Sequence, residues 1–173
     1  RLETSGLEVG GSYSFSTAYG DFALGVDARS LDSYDVTLAN GDLQMAAGYV
    51  LGSSRNNFVD FKMNTTLSWT MGDMFASATL QHFGEGKGVA NNPPTMTSAG
   101  LVTETERDIE AITYLDLQYG MVLPEYNATV RVGIDNVLDE DPTFFPETFA
   151  NDFDPAYRTW GSMHYYANIS VNF

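Results

Sequence analysis

A period of two governs this chain. In its closing stretch, YYANISVNF, Tyr165, Ala167, Ile169, Val171 and Phe173 form one row, and Tyr166, Asn168, Ser170 and Asn172 form the other. Such alternation belongs to a β-strand whose two faces meet different surroundings. The pattern recurs at about 5–17, 20–33, 57–71, 73–84, 109–123 and 126–137, and the last segment spans 161–173. No apolar run approaches the roughly 18 residues that a membrane helix needs. The alternating strands therefore carry the fold, which is expected to be all-β and antiparallel.

The connections are uneven. TAYGD, TMGD and LPE read as tight turns, with Gly or Pro supplying the local geometry. The segments 34–56, 85–108 and 138–160 are long and rich in Asn, Asp, Gly, Pro and Ser. Following the chain up and down puts every short turn at one end of the sheet and every long loop at the other. Bacterial outer-membrane barrels have this asymmetry, with short periplasmic turns and long external loops.

The two faces differ as sharply as the two ends. One row holds Leu7, Val9, Tyr13 and Phe15, continues through residues such as Leu24, Leu67, Trp69, Leu117 and Val132, and contains no Asp, Glu, Lys or Arg. The opposite row carries Glu8, Asp27, Arg29, Lys62, Glu110, Asp116, Arg131 and Asp135 among Ser, Thr, Asn and Gly. An apolar row facing lipid explains the missing charges, since Lys or Arg at mid-bilayer costs about 2–4 kcal/mol. Phe15, Phe22, Trp69, Tyr119, Tyr126 and Phe173 fall near the short turns, as in an interfacial aromatic girdle.

Composition excludes some functions. With 23 Asp and Glu against 8 Lys and Arg, a net charge of -15 argues against a nucleic-acid partner, which needs clustered cations. There is no Cys, hence no disulfide framework and no thiolate metal site. The chain opens at Arg1 without a signal peptide, as expected of a processed product or a fragment. Single-chain bacterial barrels have an even number of strands and must close. Seven strands satisfy neither condition, which implies one end of a larger barrel.

Two motifs sharpen this expectation. In VRVGIDNVLDEDPTFFP, Gly133, Ile134, Asp135, Asn136, Val137, Leu138, Asp139 and Pro142 follow in order; in YRTWGSMHYYANISVNF, so do Tyr157, Gly161, Tyr165, Tyr166 and Phe173. Together they resemble the last two strands and last external loop of TonB-dependent outer-membrane receptors. That family often has Arg directly after the second Gly, where Ser162 stands here. Earlier segments such as SGLEVGGSYSF and TYLDLQYG resemble its preceding hairpins.

The resemblance implies that residues 1–173 are the C-terminal portion of a plugged twenty-two-strand barrel, strands sixteen to twenty-two, without the plug. It further implies a Gram-negative outer membrane, with the C-terminus periplasmic and lipid and lipopolysaccharide around the wall. Partners would be the rest of the barrel with its plug, a TonB-type energy-coupling protein and a scarce nutrient such as a siderophore, vitamin, haem or oligosaccharide. The terminal row Tyr165, Ala167, Ile169, Val171 and Phe173 resembles the signal read by the barrel-assembly machinery. Function would be binding and gated import without catalysis. A small eight-strand barrel using 43–51 as its extra strand, or a soluble β-protein with the apolar row as core, are the alternatives.

The last long loop, DEDPTFFPETFANDFDP, is the candidate ligand site, because binding residues concentrate on loops held by a rigid scaffold. Phe144, Phe145, Phe149, Phe153, Tyr157 and Trp160 would stack on a ligand. Asp139, Asp141, Asp152 and Asp154 are candidate ligands for a structural Ca²⁺, although their spacing matches no EF-hand loop. His82 and His164 are the only histidines, and no G-x-S-x-G elbow accompanies either, so no catalytic residue is assigned. The Asn-x-Ser/Thr triplets at Asn64, Asn127 and Asn168 read as polar strand residues rather than glycosylation sites.

Overall fold

A computed structural model describes residues 1–52, 56–148, 152 and 162–172. In chain order the strands are β1 (Leu2–Thr17), β2 (Gly20–Thr37), β3 (Leu43–Met45), β4 (Tyr49–Leu51), β5 (Asn56–Asn57), β6 (Phe61–Met71) and β7 (Met74–Phe83). Then follow β8 (Gly86–Val89), β9 (Thr95–Thr97), β10 (Gly100–Val102), β11 (Arg107–Ile109), β12 (Ile112–Leu123), β13 (Ala128–Asp135) and β14 (His164–Val171). A 3-10 turn, Pro124–Tyr126, joins β12 to β13.

The seven long strands β1, β2, β6, β7, β12, β13 and β14 pair antiparallel in chain order, and the sheet they form curls into a half-barrel. All seven expected segments are present, with shifted ends. β2 runs on to Thr37 because its upper part stays paired to β1 and also takes β3 as neighbour. Asn57 leaves the wall to pair with Val50 in β4, so β6 starts only at Phe61. β13 stops at Asp135 because Asn136 adopts a left-handed backbone with φ 54°. The segment 43–51 supplies the short strands β3 and β4 rather than an extra wall strand.

Pairing carries the apolar row across the whole wall. Tyr13, Leu24, Leu67, Ala78, Leu117, Ile134 and Tyr165 are successive cross-strand partners. One step toward the short turns, Phe15, Phe22, Trp69, Ala76, Tyr119, Val132 and Ala167 do the same. Four of the six expected girdle aromatics thus share one row. The Phe15 and Phe22 rings stack at 5.1 Å, and the Trp69 indole N–H donates to the Tyr19 carbonyl at 2.7 Å, tying the first turn to β6. Tyr126 sits in the 3-10 turn, and Phe173 lies outside the described residues.

This row is not a core. On the edge strands Leu7 is 64% exposed and Ile169 68%, and on the interior strands Leu24, Leu67, Leu117 and Val132 are still 37–47% exposed. Among the described residues, no second layer covers the apolar face. β1 and β14, the edge strands, have one partner each among the long strands.

The other row crosses the wall as Ser16, Asp21, Thr70, Phe75, Gly120, Arg131 and Asn168. Two aromatic rings lie flat over glycines on it. A Cβ at Gly120 would come within 2.3 Å of the Phe75 ring, and one at Gly133 within 2.3 Å of Tyr166. The Arg131 guanidinium sits 5.5 Å from the Phe75 ring centre, and Gln118 Nε2 donates to the Tyr166 hydroxyl at 2.8 Å. The polar face thereby acquires ordered side chains without a hydrophobic core beneath them.

Candidate functional site

The compact core lies at the long-loop end. Val50, Val59, Ile109, Ile112, Tyr114 and Phe145 form one buried cluster, with Phe83 packed against it. A four-stranded sheet, ordered β11-β8-β4-β5, frames this cluster. β4 belongs to the first long loop and β8 and β11 to the second, and β4 pairs with β8 in parallel. The third loop enters through Phe145, whose ring occupies the space above Gly88. A Cβ on Gly88 would stand 2.8 Å from Phe145 Cε2.

Polar contacts fasten the same junction. Arg107 Nε donates to both carboxylate oxygens of Glu147, at 2.8 and 2.9 Å. The Glu110 N–H donates to Thr143 Oγ1 at 3.2 Å, and Lys87 pairs with Asp108. The Tyr49 hydroxyl donates to Glu106 at 2.8 Å; burial, aided by this carboxylate, pushes its pKa up to about 12. Side chains and strands of all three long loops thus meet in one assembly.

Glu104 closes the second loop on itself. Its carboxylate accepts the backbone N–H of Asn91 at 2.9 Å, and the backbone and side-chain N–H groups of Asn92 at 3.1 and 3.0 Å. These bonds, the Asn91 N–H foremost, hold its pKa below the usual carboxylate range. A lowered folded-state pKa stabilises the loop in full above the ordinary pKa of about 4.3, and that stability is lost as pH falls below it and through the lowered folded-state pKa. Amide exchange at Asn91 and Asn92 is therefore expected to speed up as pH falls below about 4, beyond the intrinsic pH dependence. Glu104→Gln should remove that acid-dependent part.

The motif residues have definite tasks. Asn136 is 1% exposed. Its backbone N–H donates to Asp116 Oδ1 at 2.9 Å, its side-chain amide donates to the Glu140 carbonyl at 2.9 Å, and its Oδ1 accepts the Glu140 N–H at 3.1 Å. Asp139, also left-handed at φ 54°, accepts the Met163 N–H on Oδ1 at 2.8 Å. The loop that opens at Asn136 is thus tied to the start of β14.

The expected ligand-facing aromatics divide. Phe144 is 67% exposed, as a stacking residue should be. Phe145 is only 1% exposed, which corrects its placement among exposed rings: it belongs to the loop core, where burying a whole phenyl group outweighs presenting it. Phe149, Phe153, Tyr157 and Trp160 lie outside the described residues, as does Asp154. Of the other acidic candidates, Asp141 is exposed, and the Asp152 carbonyl accepts the Phe145 N–H at 2.6 Å. Among the described residues, no three His, Asp or Glu side chains converge as a metal site.

The histidines occupy opposite faces. His164 pairs with Asp135 on the polar row, its Nδ1 3.8 Å from the carboxylate. His82 follows the apolar row and shares a 2.8 Å hydrogen bond with Thr113. Tyr165, Ala167, Ile169 and Val171 line one face of β14, opposite Ile134, Val132, Val130 and Ala128. Asn127 corrects one reading: it is not inside a strand but ends the 3-10 turn with φ 46°. Sequence reasoning missed Gly88 and Arg107, and only the glycine-rich GEGKG hinted that a bulky group comes close there. Compared with protein families, with curated proteins and with solved structures, the chain has no match.

Proposed function

We propose that this chain is the C-terminal part of the wall of a TonB-dependent outer-membrane receptor. The observation that carries the reading is the uncovered apolar row running unbroken across seven antiparallel strands, from Tyr13 to Tyr165. In water such a face is a liability, whereas in hydrocarbon it is what a closed barrel presents. The single-partner edges β1 and β14 then pair with the remaining strands of the barrel, since no open edge lies in lipid. The polar concave face lines the passage, the short turns face the periplasm and the interlocked long loops face outside. The activity is capture of a scarce nutrient and its gated passage, powered through a plug and a TonB-type partner.

The test is the intact mass of the native polypeptide, extracted from outer membranes and measured under denaturing conditions. A mass several times the 19.0 kDa of this chain is expected. A polypeptide near 19.0 kDa, or one absent from the outer membrane, would overturn the reading.

A further inference from the structure

On the polar face near the long-loop end, Arg29 of β2 and Lys62 of β6 are direct cross-strand partners. Like charges so placed repel. Lys62 lies over the Phe83 ring, 5.3 Å from its centre. Arg29 is different: among the described residues it has no hydrogen bond, ion pair or ring contact. The other described Arg and Lys side chains each have one, Arg1 with Glu3, Lys87 with Asp108, Arg107 with Glu147 and Arg131 with the Phe75 ring. Glu8 stands directly across from Arg29 on β1, and Asp27 on the same face of β2, yet neither closes on it.

Arg29 also lines two adjoining hollows. The larger, about 450 Å³, reaches Tyr34 and Phe58, whose ring centres lie 4.3 Å apart with the planes tilted by 34°. The smaller, about 240 Å³, holds Lys62 and Asp27, and the two share Glu8 and Arg29. The larger alone has the size of a small-ligand site. It offers a planar five-donor fork at one end and an aromatic pair at the other.

We infer that this hollow binds a small aromatic carboxylate, its carboxylate held bidentately by Arg29 beside Lys62 and its ring against Tyr34 and Phe58. The fork geometry matches a carboxylate. Charge limits the choice further: Glu8 is the other charged residue lining this hollow, and across the two hollows Glu8 and Asp27 offset Arg29 and Lys62, which disfavours a phosphate dianion more than a monoanion. The inference deepens the proposed receptor reading by naming a ligand class for its passage.

The experiment follows modification of Arg29 by p-hydroxyphenylglyoxal, read by peptide mass spectrometry on the whole polypeptide purified in detergent. Arg107, held by Glu147, is the internal reference. Millimolar 4-hydroxybenzoate is expected to slow Arg29 modification about threefold, the effect of two-thirds occupancy, and Lys62→Gln to shift the protecting concentration upward. Acetate and benzyl alcohol, which have the charge or the ring alone, should protect far less. Unchanged modification with 4-hydroxybenzoate would overturn the inference and leave a solvated arginine; equal protection by acetate would overturn the aromatic class. Either result leaves the receptor reading standing, because that rests on the mass and membrane location of the polypeptide.

Discussion

Replacing Phe145 with alanine is expected to loosen all three long loops together. The ring is buried against Val50, Val59, Ile109, Ile112 and Tyr114, residues of the other two loops and of β12. Removing a buried phenyl group costs about 3–5 kcal/mol, more where the site cannot collapse. Here collapse is hindered, because β4 and β8 are fixed by their parallel pairing. Native-state hydrogen exchange should show protection falling in β4, β8 and β11 as well as in 143–148, while the β6–β7 ladder keeps its rates. Loss confined to 143–148 would mean that the third loop merely rests on the other two. Gly88→Val tests the same junction from the opposite side, since the added carbons would meet a ring that has nowhere to go.

On the proposed receptor reading, Leu117→Arg should largely abolish folded protein in the outer membrane, whereas Thr79→Arg should be tolerated. Leu117 lies mid-row on the apolar face, between Ala78 and Ile134. An arginine facing the centre of a bilayer costs about 2–4 kcal/mol. Thr79 lies on the polar face directly opposite Asp116, where a cation meets a carboxylate. The measurement is the yield of protease-resistant, membrane-inserted protein for each variant. Equal yields would show that the apolar row does not face hydrocarbon.

Much of the wall was legible because alternation is a local property. Whether Leu115, Leu117 and Tyr119 share a face depends only on their spacing, so the rows and the turn asymmetry could be read without knowing which strand pairs with which. The loop sheet was not legible for the converse reason. β4 and β11 are three residues each and pair with β8 across long separations, leaving no periodic trace. Phe144 and Phe145 show the same limit at one site: adjacent and identical in type, one is open and the other buried in a cluster drawn from distant segments, with room for its ring left by the glycine at position 88. The Gly133–Asn136 motif was recognisable by resemblance before its cause was visible. That cause is a tyrosine ring lying on one residue and a left-handed turn closed by the other.

The two edge strands constrain the order of assembly. Each long strand of the interior is paired on both sides, but among the described residues β1 and β14 each leave one edge of N–H and C=O groups without a strand partner. In hydrocarbon each unsatisfied group costs several kcal/mol. A half-barrel of this kind therefore cannot enter a bilayer one hairpin at a time and wait. On the proposed membrane reading, its edges are either held by something until their partners arrive or closed in the same event as insertion.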